Sequence, residues 1–361
     1  MPYQNHLIHL LEITQQLTAE TDLDRLLNLI VSRTTQLLDA DRTTMYLLDQ
    51  ETGELWSKIA EGTMTIRLPL GHGLAGYVAQ TGEVINIKDV QNDPRHATRF
   101  EKLTGYRVHT MLAAPMRDRA GHVIGVIQVL NKRDGVFTAR DEELITALAS
   151  SAAIALENAR LHTQVQRMLD SVIATLAAVI DARDKQMTGH SQRLTEYAVT
   201  IARHMGLPAE RIEVIRIAGL LHDVGKIGVP EAILTKRTKL TPAEKILMRD
   251  HAQLTYKILS TINFSDNLRD VPRIAAHHHE RLDGSGYPLG LKGEEIPLES
   301  RILAVVDVFD ALTTQRYYRE PMSDQEALAE LEKGAGKLFD AEVVAILKEL
   351  VAERKRGKDR D

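Results

Sequence analysis

Three histidines stand side by side at positions 277–279, in the stretch HHHERLDGSGYP, and seven of the chain's 14 histidines fall between residues 190 and 279. Alone, such a run would suit a purification tag or a solvated loop. This one is internal and follows the apolar segment Ile274–Ala276. The other histidines of the set also have telling neighbours. His190 follows a Thr-Gly pair, His222 adjoins Asp223 in GLLHDVGKIGVP, and His251 lies in MRDHAQLT. Asp307 stands in the apolar stretch RILAVVDVFDAL, with Asp310 one helical step later, and a carboxylate buried without a partner is costly. For any one of these histidines, a satisfied core or surface place is the simpler account. Five histidines and two acids together are the ingredients of a metal site. Facing helices of a bundle can bring such ligands to one point. A metal held there would lower the pKa of bound water toward neutrality, so no side-chain nucleophile is required. The chain has no cysteine and no evident Ser–His–Asp arrangement, in keeping with that chemistry.

The elements that must hold these residues divide the chain in two. Its 361 residues predict two domains or three, and 43% hydrophobic content is ample for packed cores. The net charge of -5 gives no basic field for duplex nucleic acid. The absence of cysteine excludes disulfides, cysteine-ligated zinc and thioether-attached chromophores. No apolar run approaches the ~18 residues of a membrane span, and the first residues carry acids and amides too early for a signal peptide. The expected location is the cytoplasm.

The first half reads as α+β. A helix over Asp22–Leu38 is followed by strand-like runs from Thr43, Glu54, Glu83, Thr110 and His122, separated by the turn signals ETGE, GHGLAG, QNDPR and RAGH. An antiparallel sheet with helices packed on it is the expected architecture. From about residue 138 to 181 the pattern is helical. Leu144, Leu148, Ser151, Ala155, Asn158, Leu161, and then Val165, Met168, Val172, Thr175 and Val179, recur at three- and four-residue steps. That seam fits either helices packing on their own domains or a parallel coiled coil that joins two protomers as a homodimer and relays a signal. The second half is all α, with helices starting near Met168, Ser191, Pro208, Thr241, Glu299 and Ser323.

Two resemblances follow from these motifs. Residues 20–160, through LPLGHGLAGYVAQTGEVINIKDVQNDPR and APMRDRAGHVIGVIQVLNK, resemble a GAF sensory domain, with an N-terminal helix over 1–19 and a helical linker over about 139–180. Asn131, Lys132, Phe137, Asp141 and Glu142 match a pattern of cyclic-nucleotide-binding GAF domains. Its physical reading is an ion pair of Lys132 with Asp141 that ties a strand end to a helix start, where negative charge is favoured. A small-molecule pocket is implied, with an occupant the sequence does not name. Residues 165–355 resemble an HD-GYP domain of the HD phosphohydrolase superfamily, through HDVGKIGVP, HHERLDGSGYP, GHSQR, MRDHAQLT and DVFDALTTQRYYRE.

The second resemblance implies a phosphodiesterase that hydrolyses cyclic di-GMP to pGpG or on to GMP. It assigns His190, His222, Asp223 and Asp307 to one divalent metal, and lets Asp223 bridge to a second completed by His251, His278 and His279. His277 is then a spectator. Lys226, Arg316 and Arg319 would contact substrate phosphate, and Asp184 would orient a ligand or a water. Gly284, Gly286, Tyr287 and Pro288 would shape the cleft, Tyr287 touching substrate, and the loop would be open to a partner protein. Some family members carry a Glu four residues before the first metal histidine and bind a third metal; here Gln186 stands there, which predicts two ions. Iron or manganese is favoured over nickel or zinc. The same site acting on cyclic GMP–AMP or pGpG, or a non-catalytic nucleotide- or partner-binding module, are the competing readings.

Overall fold

The computed structural model describes residues 2–59, 66–96, 105–183, 189–315 and 320–358. The chain divides into two compact units, Met1–Arg167 and Met168–Asp361.

The first unit opens with helices α1 (Pro2–Ala19) and α2 (Leu23–Leu37). Asp22 caps α2 by accepting from the Arg25 amide at 2.9 Å, which satisfies one of the free donors at the helix start. Strands β1 (Ala40–Asp49), β2 (Glu54–Ile59) and β3 (Ile66–Pro69), helix α3 (Gly73–Thr81), and strands β4 (Ile85–Ile87), β5 (Met111–Arg117) and β6 (Val123–Lys132) follow. The six strands form one antiparallel sheet in the order β3-β2-β1-β6-β5-β4. Side chains alternate across a strand, and β6 uses both faces. Ile127 and Val129 join α2 residues Leu26, Leu27 and Ile30 in one core. Val126 and Leu130 join α3 residues Leu74 and Val78 in the other.

Two local readings of the sequence need correction. GHGLAG is not a turn throughout. The turn gives way at Gly73 to α3, whose Leu74, Ala75, Val78 and Ala79 are buried together. Glycines at its start hide this short amphipathic helix from propensity. Strand β3 leaves little sequence signal, being a four-residue edge strand that ends in a proline, a residue tolerated at such edges. The end of the run from Glu54, residues 60 and 61, lies outside the described residues.

The Asn131–Lys132 pattern is spent on the fold. Lys132 Nζ donates to Asp141 Oδ1 and to the Leu38 carbonyl, both at 2.9 Å. Asp141 Oδ2 accepts from the Thr138 amide at 2.7 Å and its hydroxyl at 2.9 Å. Asn131 accepts from the His109 amide at 2.7 Å and donates to Tyr106 Oη and the Arg107 carbonyl at 3.0 Å.

One continuous helix, α4 (Ala139–Arg183), follows. The second unit adds α5 (His190–His204), α6 (Ala209–Leu221), a 3-10 turn (Val224–Gly228), α7 (Glu231–Leu234), α8 (Pro242–Leu259), α9 (Val271–Ala276), α10 (Leu298–Thr313), α11 (Asp324–Gly334) and α12 (Ala341–Lys358). Capping boxes start α8 (Thr241 with Glu244) and α11 (Ser323 with Glu326). Leu194 and Ala198 of α5, Ile215 and Ala218 of α6, and Ile302 and Val306 of α10 share the core beneath the site. Among the described residues, no helix is long and apolar enough to cross a membrane.

Candidate metal centre

Six local structures each deliver a polar group to one buried point. His190 is the first residue of α5, after Gly189 in a left-handed conformation. His222 caps the C-terminus of α6, and Asp223 opens the 3-10 turn that follows. His251 lies inside α8, His278 and His279 on the turn after α9, and Asp307 inside α10. The turn can approach α8 closely because residue 225 is glycine. A β-carbon there would run into the His251 carbonyl and the Thr255 amide. Thr255 locks the approach, its hydroxyl accepting from the Gly225 amide and donating to the His222 carbonyl, both at 3.0 Å.

The seven side chains form three overlapping groups: His190, His222 and Asp307; His251, His278 and His279; and His222, Asp223 and His278. The ligand atoms of each group lie within 4.8 Å of one another. Asp223 sits where the groups meet. Its Oδ2 is 3.3 Å from His222 Nε2, and its Oδ1 is 3.4 Å from His251 Nε2 and 4.0 Å from His278 Nε2. In the first group, His190 Nε2 is 3.3 Å from His222 Nε2 and 3.4 Å from Asp307 Oδ1.

The far side of four of the five rings is already engaged. His222, His251 and His278 donate Nδ1–H to the carbonyls of Gly219, Met248 and Ala275 at 2.7, 2.6 and 2.6 Å. That fixes the tautomer and leaves Nε2 free to face the centre. His190 donates instead to Asp310 Oδ2 at 2.6 Å. Arg193 in turn donates to both oxygens of Asp310, at 2.8 and 3.0 Å. Asp223 Oδ1, His251 Nε2 and His278 Nε2 are buried without a hydrogen-bond partner. Buried polar atoms are nearly always satisfied, and three exceptions converging on one point fit a cation.

The electrostatics suit such an occupant. Burial holds His251 below its ordinary pKa, takes His278 down to about 3 and puts His279 well below the usual imidazole range. For Asp223 burial opposes ionisation, but Lys226 and His222 outweigh it and hold the carboxyl well below its usual range. Asp307 is held low in the same way, by His190 and His279. Burial likewise opposes charge on His190, yet Asp307 and Asp310 raise it to about 9. Apart from His190, whose proton a metal would displace, these are the neutral imidazoles and ionised carboxylates that bind metal.

Around this centre, Lys226 Nζ lies 2.5 Å from Asp223 Oδ2. The Tyr287 ring is 4.6 Å from that of His279. Gly284 has φ +82°, as a turn glycine would, but Gly286 serves differently. A β-carbon on it would strike the backbone of Arg281 and crowd Glu280, so it is required for space. Glu280 also holds the loop. Its Oε1 accepts from the amides of Leu289 (2.7 Å) and Gly290 (3.1 Å), and Oε2 from Leu291 (3.1 Å). His277 is buried but belongs to none of the three groups. Asp184, Gln186, Arg316 and Arg319 lie outside the described residues. The sequence counts Asp310 among the acids of a metal site but does not show it as the partner of His190, and it assigns no role to Arg193 or Glu280. The spacing Asp307–Asp310 and His190–Arg193, three residues on a helix in both cases, was the signal that each pair shares a face.

Comparison with known proteins agrees with this layout. Residues 22–156 match the GAF domain family and residues 174–343 the HD domain family. A cyclic di-GMP phosphodiesterase of Thermotoga maritima is 40% identical over 203 residues, which is 55% of this chain and 55% of that protein. The cyclic di-GMP phosphodiesterase response regulator RpfG of Xanthomonas campestris is 41% identical over 199 residues, 54% of this chain and 52% of that one. A 3'3'-cGAMP-specific phosphodiesterase of Vibrio cholerae is 35% identical over 210 residues, 58% of this chain and 40% of that one. The chain thus spans about half the length of the first two of these relatives and less of the third. The two families follow one another along the sequence, and the chain carries a GAF domain followed by an HD domain.

Proposed function

We propose that this chain is a metal-dependent phosphodiesterase that hydrolyses cyclic di-GMP to pGpG or on to GMP, regulated by its GAF domain. The observation that carries the reading is the convergence of three buried, unpartnered ligand atoms on Asp223 Oδ1, His251 Nε2 and His278 Nε2. His190, His222 and Asp307 would hold one divalent ion, His251, His278 and His279 the other, and Asp223 would contribute to both. Bound there, the ions would supply a water of near-neutral pKa and neutralise phosphoryl charge. Two are proposed, because an amide at Gln186 is a poor third-site ligand, and iron or manganese is favoured. Lys226, held by Asp223, would turn its ammonium to a phosphate oxygen, the charge-assisted contact that phosphate favours. Tyr287 would wall the cleft beside His279. Arg316 and Arg319 are proposed as further phosphate contacts, and Asp184 as a positioning acid. Cyclic GMP–AMP is the second substrate to weigh, on the strength of the Vibrio cholerae relative.

We also propose a small-molecule ligand for the GAF domain, a homodimer through α4, a partner-facing role for the loop at Gly284–Pro288, and action in the cytoplasm. The central test is turnover by protein purified without oxygen, with metals quantified on the same sample and products separated by chromatography. Two metals per chain with pGpG or GMP appearing is the expected result. Failure to bind metal after anaerobic reconstitution would sink the reading.

A further inference from the structure

A cyclic dinucleotide carries two phosphates on opposite sides of one ring, and hydrolysis at the centre engages only one of them. The other is a full negative charge that needs its own partner at the rim. Lys226, against Asp223 beside the metal ligands, is placed for the phosphate at the centre. Arg281 is turned away, donating to the His278 and Glu280 carbonyls with its guanidinium 5.1 Å from the Phe339 ring centre. Arg249 is placed differently. It lies on α8, two residues before His251, and is exposed. Its guanidinium carbon is 5.0 Å from the centre of the Tyr287 ring. That ring is itself 4.6 Å from His279 and 6.3 Å from His251. Arg249 thus stands one aromatic ring away from the metal ligands. It makes no ion pair or hydrogen bond to a side chain among the described residues, so its donors are open. Stacking on an aromatic face orients a guanidinium without using those donors, and the planar fork matches two oxygens of a phosphodiester.

We infer that Arg249 binds the second, non-scissile phosphate of a cyclic dinucleotide, with Tyr287 as the platform that fixes its orientation. The inference rests on the phosphodiesterase reading above and names a substrate-binding residue for it. Arg249 has no place in the ligand set, so its removal leaves metal content intact. Its effect belongs in binding of a two-phosphate substrate and is missing for a one-phosphate substrate.

The experiment compares the full-length holoenzyme with Arg249→Gln and Arg249→Lys on cyclic di-GMP and on bis(p-nitrophenyl) phosphate, a diester with a single phosphate. For Arg249→Gln the expected result is a KM for cyclic di-GMP raised about tenfold or more, as loss of one charge-assisted contact gives. Metal content and kcat/KM on bis(p-nitrophenyl) phosphate stay within about twofold. Arg249→Lys, which keeps the charge but loses the fork and the stacking, recovers only part of the KM. An unchanged KM for cyclic di-GMP overturns the inference. So does an equal loss on both substrates, because that pattern belongs to a general disturbance of the centre. A wild-type holoenzyme with bound metal that cleaves only bis(p-nitrophenyl) phosphate overturns cyclic di-GMP as substrate, and cyclic GMP–AMP then replaces it in the same comparison. Absence of turnover on every diester removes the phosphodiesterase reading and this inference with it.

Discussion

Asp310 belongs to none of the three ligand groups, yet it decides where His190 points. It receives the Nδ1 proton of that ring at 2.6 Å and is itself gripped by Arg193. Asp310→Asn leaves the shape and removes the charge, so the ring loses its strongest orienting partner. Outer partners of ligating histidines are worth roughly 10–100-fold in metal affinity, and a loss of that size is expected for one ion of two. Competition against a graded chelator reads it directly: one weakened step beside one normal step supports the role, and two unchanged steps refute it. Neighbouring histidines give a sharper contrast. His277→Ala should keep the metal content of the parent, whereas His278→Ala deletes a fully buried Nε2 that faces Asp223 Oδ1 and should lose at least one ion. Elemental analysis of the two purified variants distinguishes them, and equal metal in both would break the assignment of the run.

At the scale of elements, the joint between β6 and α4 hangs on Lys132 and Asp141. Both side chains are largely buried, and each also holds backbone, Leu38 on one side and Thr138 on the other. Removing one partner of such a pair strands the other, at a cost of about 3 kcal/mol, so Lys132→Met should unfold the first unit at markedly lower denaturant. Trp56, the chain's single tryptophan, lies in β2 and reports that unit by fluorescence. The pH dependence has a definite sign. Burial alone would raise the Asp141 pKa, but Thr138 and Lys132 bring it below 3.8. Its stabilisation is therefore complete above that value and is lost as the pH falls through the lower folded value. Asp141→Asn should flatten the acid limb of the Trp56 unfolding curve; an unchanged limb would show that other groups control it.

The same joint shows what could be read beforehand. The Lys132–Asp141 pair was legible because it is local, nine residues apart at a strand end and a helix start. The strands of β1, β5 and β6 were legible from their apolar runs. The short helix α3 was not, since its glycines argue for a turn and only burial of Leu74 and Val78 under the sheet makes it a helix. In the second unit, the types and order of the seven chemistry-bearing residues could be read in advance. The bridging place of Asp223 is implied by the resemblance, but the close backbone approach at Gly225 beside it is revealed only by the packed turn.

For the molecule as a whole, the unanswered face is that of α4. Ile154, Leu161, Val165, Met168, Val172 and Val179 are 43–69% exposed, a stripe too apolar to be left to solvent by chance. Leu161, Val165, Met168 and Val172 follow one another by four, three and four residues, and Val179 comes seven later. That is a heptad seam with valine at one core position and Leu or Met at the other, the combination that favours two parallel strands. Asn158 and Thr175 occupy the remaining seam positions, and polar residues there fix register at some cost in stability. A second copy of the chain is therefore the occupant we propose. Val165→Asp with Val172→Asp places like charges in facing positions and disturbs no buried contact of the single chain. The double variant should keep its helical circular dichroism and run as a monomer in light scattering, where the parent runs as a dimer. A monomeric parent would end the proposal. Because the seam and the GAF fold share one helix, the variant has a second use: if GAF ligands act through the pairing, the monomer retains basal turnover but loses its response to them, and a preserved response would assign the relay to the single chain.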